Sequence, residues 1–102
     1  MKIELNGALK NLEGVVLPDG SISKHTANVL ATEKTELDTV KAYILAQSLY
    51  AEKSIDIEKD TLEKIKKAIE KTESILVFAK AQIIIKIDEE LKKYDKLTES
   101  TK

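Results

Sequence analysis

The sequence predicts a mostly α-helical α+β fold, with an N-terminal β-hairpin packed on a bundle of three to four helices. Three observations carry this expectation. The first twenty residues place strand-like apolar residues between two turn signals, Asn11-Leu12-Glu13-Gly14 and Pro18-Asp19-Gly20. From Ser21 onward apolar residues recur at helical spacing. Charge then thickens: residues 1–50 carry five lysines and six acids, whereas residues 51–102 carry twelve of each, the texture of an ion-paired helix surface. A chain of 102 residues forms one domain, expected over residues 1–95, with the hairpin at 1–20, helices at 21–95 and a flexible tail at 96–102.

The elements follow in order. Ile3 and Leu5 alternate with polar residues, and Leu9 and Leu12 continue the first arm. Asn11 to Gly14 fits a type I turn closed by a glycine free to take positive φ. Val15-Val16-Leu17 forms the return strand, which Pro18 stops. An isolated hairpin is marginal in water, so it must lean on the helices or on another chain. Ser21 or Ser23 caps a short first helix that places Ile22, Val29 and Leu30 on one side. Thr35 caps a second helix over 36–52, with two acids in its first turn and a stripe of Leu37, Val40, Ile44, Leu45, Ser48 and Leu49. Ser54 to Ile57 is a connector with inward isoleucines. A third helix, 59–72, buries Leu62, Ile65 and Ile69. Outside it pairs Asp60 with Lys64 and Glu63 with Lys67.

The last helix, about Ile75 to Tyr94, begins at a Thr72-Glu73-Ser74 break and contains the run Ile83-Ile84-Ile85. Consecutive helical residues diverge by about 100°. Leu76, Ile83, Ile87 and Leu91 share a stripe, with Val77, Ile84 and Tyr94 beside it, while Ile75, Phe78, Ala79 and Ile85 fall outside. A helix apolar on all sides is buried on all sides. Either its first turns form the central rod of the domain, or part of their surface meets a second copy or another protein. The candidate interaction surface is Ile75, Phe78, Ile84 and Ile85, joined by Tyr43 and Tyr50, which lie seven residues apart on one face.

Composition narrows the function. There is no cysteine, so disulfides and thiolate metal sites are excluded. Every basic residue is lysine and the net charge is -1. Without arginine's bidentate fork, specific nucleic-acid recognition is disfavoured. Lys64, Lys66 and Lys67 remain candidate phosphate contacts for a small nucleic-acid-binding regulator. The start, MKIELNGALK, has no apolar core of a signal peptide. The most apolar stretch, Ile75 to Ile87, is too short and too interrupted to span a bilayer. A soluble, cytoplasmic protein is expected.

No catalytic constellation stands out. His25, the sole histidine, has only capping and turn hydroxyls beside it in sequence. Asp56, Glu58 and Asp60 open like a calcium loop, but the positions that should hold glycine and glutamate hold Thr61 and Lys67. Asp88-Glu89-Glu90 reads as a solvated helix face. Gly14 and Gly20 are turn glycines, and no Gly-Lys-Ser/Thr follows to make a phosphate loop. No enzyme, metal or cofactor is expected.

Leu9, Asn11, Leu12 and Gly14, then Leu49 and Tyr50, then Lys80, Ala81 and Gln82 together resemble a pattern in small proteins encoded by phages and prophages. These open with an LxNLxG hairpin and close near a KAQ helix. The resemblance spans most of residues 5 to 87. It implies a phage or mobile-element setting, in the host cytoplasm, and transfers no catalytic residues. The expected function is a non-enzymatic interaction or assembly protein, as a chaperone or oligomeric accessory factor, acting through a protein partner or self-association.

Overall fold

The computed structural model describes residues 2–33, 35–73, 75 and 77–100, with the backbone alone described at 18–20 and 95–100. Met1, Lys34, Ser74, Leu76, Thr101 and Lys102 lie outside the described residues, and with them the last residue of the Thr72-Glu73-Ser74 break, the place of Leu76 in its stripe and the end of the tail. The chain runs β1 (Lys2–Ile3), β2 (Ala8–Lys10), β3 (Val16–Ser21), α1 (Ile22–Thr32), α2 (Thr39–Tyr50), β4 (Ile55–Asp56), α3 (Lys59–Lys71) and α4 (Val77–Ser100). The class is as expected: among the described residues, a bundle of four helices with a small hairpin.

The hairpin is β2–β3, antiparallel. Asn11 builds its turn. The Asn11 carbonyl accepts from Gly14 N–H at 3.0 Å, and Asn11 Oδ1 accepts from Glu13 N–H at 2.9 Å and Val15 N–H at 3.0 Å. Gly14 sits at φ 86, a left-handed conformation that a side chain would strain. Pro18-Asp19-Gly20 does not end the strand. It lies within β3, where the register runs from Lys10↔Val16 to Ala8↔Ser21. Two steps on β2 thus face five on β3, and the residues that signal a turn supply the bulge.

Ile3 leaves the hairpin altogether. β1 pairs antiparallel with β4, Ile3 opposite Ile55, so the two buried isoleucines lie on adjacent strands. The connector at 54–57 is therefore partly strand, with Ile55 and Ile57 inward as expected.

The helices pack as two hairpins, α1 on α2 and α3 on α4, with α1 also touching α3 and α4. α1 buries Ile22, Ser23, Thr26, Ala27, Val29 and Leu30. Ser21 is its N-cap, accepting from Lys24 N–H at 3.1 Å. The N-cap of α2 is Asp38, not Thr35, and the helix begins at Thr39. Thr35 instead bonds Leu37 N–H in the preceding connection. At its far end Lys53 N–H reaches the Ser48 carbonyl and Glu52 N–H the Leu49 carbonyl, a Schellman close. Glu52 occupies the left-handed position at φ 58, where glycine is usual.

The last helix is not a central rod. It buries Ala79, Ile83, Ile87, Glu90 and Tyr94 along one side and turns Val77 and Ile85 outward. The isoleucine triplet is divided: Ile83 is buried, Ile84 half-buried and Ile85 exposed. Its helical backbone continues to Ser100, past the expected end at Tyr94.

Long-range hydrogen bonds fasten these layers. Gln82 of α4 clasps β2, its Oε1 accepting from Lys10 N–H at 2.9 Å and its Nε2 donating to the Lys10 carbonyl at 2.7 Å. The Lys80 ammonium donates to the Thr72 carbonyl at 2.6 Å and the Glu70 carbonyl at 3.2 Å, capping α3. Tyr94 OH donates to the Ile57 carbonyl at 2.6 Å, and Ser23 Oγ to the Leu49 carbonyl.

Candidate interaction face

The sequence of α2, TVKAYILAQSLY, is apolar around most of its circumference. Its inner side buries Ala42, Leu45, Ala46 and Leu49. About half a turn away stand Val40, Tyr43, Ile44 and Tyr50, exposed by 64%, 58%, 55% and 56%. The spacing of residues 40, 43, 44, 47 and 50 puts them on one stripe. The sequence reading groups Val40 and Ile44 in one stripe with Leu37, Leu45 and Leu49, and the structure divides it: the leucines are buried and Val40 and Ile44 are exposed. The buried side of α2, which packs on α1, combines small residues, Ala42 and Ala46, with Leu45 and Leu49, and leaves Val40 and Ile44 outside.

Polar groups fix this outer stripe. Gln47 Nε2 donates to Tyr43 OH at 3.0 Å, and the Lys24 ammonium lies 5.5 Å from the centre of the Tyr50 ring, a cation–π arrangement. Between α1 and α2 runs an open groove of about 420 Å³. Ala27, Ala31 and Ala46 line it, with Asn28 at its edge and Tyr43 and Tyr50 as walls.

The six residues expected to form one surface are divided between two helices and the core. Tyr43, Tyr50 and Ile85 are exposed. Ile75, Phe78 and Ile84 are half-buried and packed against the core. A second group of exposed apolar residues, Leu12, Val15 and Val16, lies at the tip of the hairpin.

The three candidate phosphate-binding lysines each face an acid. Lys64 pairs with Asp60 at 3.4 Å, Lys66 with Asp88 at 2.8 Å and Lys67 with Glu36 at 3.9 Å. The hydrogen bond to Asp88 raises the Lys66 pKa above the ordinary lysine value. Lys66 thus reaches across to α4, whereas Lys64 and Lys67 line a cleft with Glu33 and Glu36.

His25 is half-buried on α1. Among the described residues no group of three histidines, cysteines or acids could hold a metal ion, and no helix is long and apolar enough to cross a membrane. The acidic run on α4 is not wholly solvated. Asp88 holds Lys66, and Glu90 is only 1% exposed. Glu90 Oε1 accepts from Glu4 N–H at 2.8 Å and its other oxygen meets the Lys93 ammonium, which raises the Lys93 pKa. The buried carboxylate thereby supplies an acceptor to the chain just after β1. In comparisons with known proteins, no family model, no curated protein and no solved structure matches this chain.

Proposed function

We propose that the chain is a non-enzymatic protein-interaction module, of the accessory or assembly kind, whose contact surface is the outer face of α2. One observation supports this above the rest. α2 is apolar on two opposite sides; α1 covers one, and the other presents four large apolar side chains to solvent. More than half of each of these side chains stays in water where it stands, and burying it against a partner is favourable by about 25 cal/mol per Å². The phage or prophage setting, a chaperone-like role there and a cytoplasmic location rest on the sequence alone. The nucleic-acid reading is weaker, because a phosphate would displace an existing ion pair at each of Lys64, Lys66 and Lys67.

A photo-crosslinking residue placed at Ile44, and separately at Ile85, tests the reading in cells that express the chain. A protein adduct from position 44, and none from 85, is the expected result. Adducts from 85 alone would move the contact surface to α4. No adduct from either would overturn the reading.

A further inference from the structure

We propose that Asn6 is a site of spontaneous covalent modification, at which the link between β1 and β2 ages into an aspartyl or isoaspartyl form. The chain has three asparagines, Asn6, Asn11 and Asn28, and the structure sets them apart. Asn28 lies in α1 before the β-branched Val29, where the next amide is committed to the helical ladder. Asn11 precedes Leu12, and its Oδ1 is held by the amides of Glu13 and Val15. Asn6 has neither restraint. It is exposed, it lies in the irregular link between β1 and β2, and Gly7 follows it. Among the described residues no hydrogen bond engages the Asn6 side chain or the Gly7 N–H.

The chemistry needs only water and hydroxide. Hydroxide takes the proton of the Gly7 amide, and the nitrogen electron pair attacks Asn6 Cγ. A five-membered succinimide ring closes, the Cγ–Nδ2 bond breaks, and the side-chain nitrogen leaves as ammonia with a proton from water. Glycine favours the attack because no Cβ shields its nitrogen. Water then opens the ring. Addition at Cγ restores the ordinary main chain as aspartate. Addition at the main-chain carbonyl gives isoaspartate, whose main chain runs through Cβ and Cγ and is one atom longer. Either product adds one negative charge to a net of -1.

The fold turns that extra atom into a structural change, because the link is anchored at both ends. Leu5 before it and Leu9 after it are at most 1% exposed. Glu4 N–H is held by the buried Glu90, and the Gly7 carbonyl accepts from the N–H of Ile22, the first residue of α1, at 2.9 Å. A Cβ on Gly7 would stand 3.1 Å from Ile22 Cδ1, so the chain here already lies close against α1. Isoaspartate at position 6 lengthens the path between these anchors and draws the Gly7 carbonyl away from Ile22. Aspartate keeps the original path and leaves the bond in place.

The sequence makes the test clean, since cleavage after lysine puts the three asparagines in separate peptides, Ile3–Lys10, Asn11–Lys24 and His25–Lys34. The intact chain is held folded at body temperature and mildly alkaline pH, and samples are digested over several days. Mass spectrometry should show Ile3–Lys10 gaining the mass of an amide-to-acid exchange many-fold faster than the other two, and faster as the pH rises. Enzymatic methylation of isoaspartate should label the product. Asn6→Gln, whose longer side chain cannot close the five-membered ring, should stay unlabelled. Asn6 reacting no faster than Asn28, or reacting only when the chain is unfolded in urea, would overturn the site. Amide hydrogen exchange tests the consequence: the Ile22 amide should be less protected in the isoaspartyl fraction than in freshly prepared Asn6→Asp. Equal protection in the two would overturn the displacement of Gly7 from α1.

Discussion

Gln82 should hold the hairpin to the bundle, and its removal should be felt in two places. The side-chain amide takes the position of a third strand beside β2, bonding both the N–H and the carbonyl of Lys10. A hydrogen bond of this kind contributes about 0.5–1.5 kcal/mol. The site is partly solvated, so Gln82→Ala should cost about 1–2 kcal/mol in all. For a domain of this size that lowers Tm by about 5–15 °C. Gln82→Glu should cost as much or more, since it keeps the acceptor but replaces the amide donor with a carboxylate facing the Lys10 carbonyl. Urea denaturation gives the global cost. Amide hydrogen exchange gives the local one: the Lys10 amide should lose protection in both variants, while α1 amides change only with global stability. Gln82→Ala within about 0.3 kcal/mol of the parent, with Lys10 protection unchanged, would refute the clasp.

Ile83→Ala should destabilise by about 2–5 kcal/mol and Ile85→Ala by less than about 0.5, both read by urea denaturation, because one side chain is buried and the other faces water. Glu52→Gly should stabilise by about 0.5–1 kcal/mol, by relieving the left-handed strain at the end of α2, as a rise in Tm. Tyr94→Phe should cost about 1 kcal/mol through the lost bond to the Ile57 carbonyl. Burial, and then the charges of Asp56, Glu90 and Glu58, raise the Tyr94 pKa. Its contribution is therefore fully present below the unfolded tyrosine value of about 10, and is lost as pH rises through the higher folded value. In an alkaline stability series Tyr94→Phe should accordingly fall less steeply than the parent.

Local chemistry was legible where it was closed within a few residues. Asn11 and Gly14 announce their turn, the Ser21/Ser23 pair a cap that Ser21 supplies, and the 3.6-residue rhythm of Leu62, Ile65 and Ile69 its buried face. The misses share a cause, which is that neighbours decide them. Ile3 pairs with Ile55 across half the chain, and no local pattern marks such a partner. Glu90 looks like one more surface acid until Glu4 N–H is brought to it. Val40 and Ile44 fall into one stripe with Leu45 and Leu49 by spacing, yet the buried side of α2 runs through Ala42, Leu45, Ala46 and Leu49 and leaves them outside. Exposed apolar residues therefore stand on α2 as well as at Val77 and Ile85 of α4. Asn11, Gly14, Lys80 and Gln82 carry the fold, as turn, helix stop and clasp.

The most direct test of α2 as a contact surface, and not part of the core, is urea denaturation of Ile44→Glu at a concentration low enough to keep the chain monomeric. Unfolding free energy within about 0.5 kcal/mol of the parent, with an unchanged m-value, is the expected result for a side chain that faces water in the monomer. A loss of about 3 kcal/mol or more would place Ile44 in the core of the folded chain and contradict the assignment.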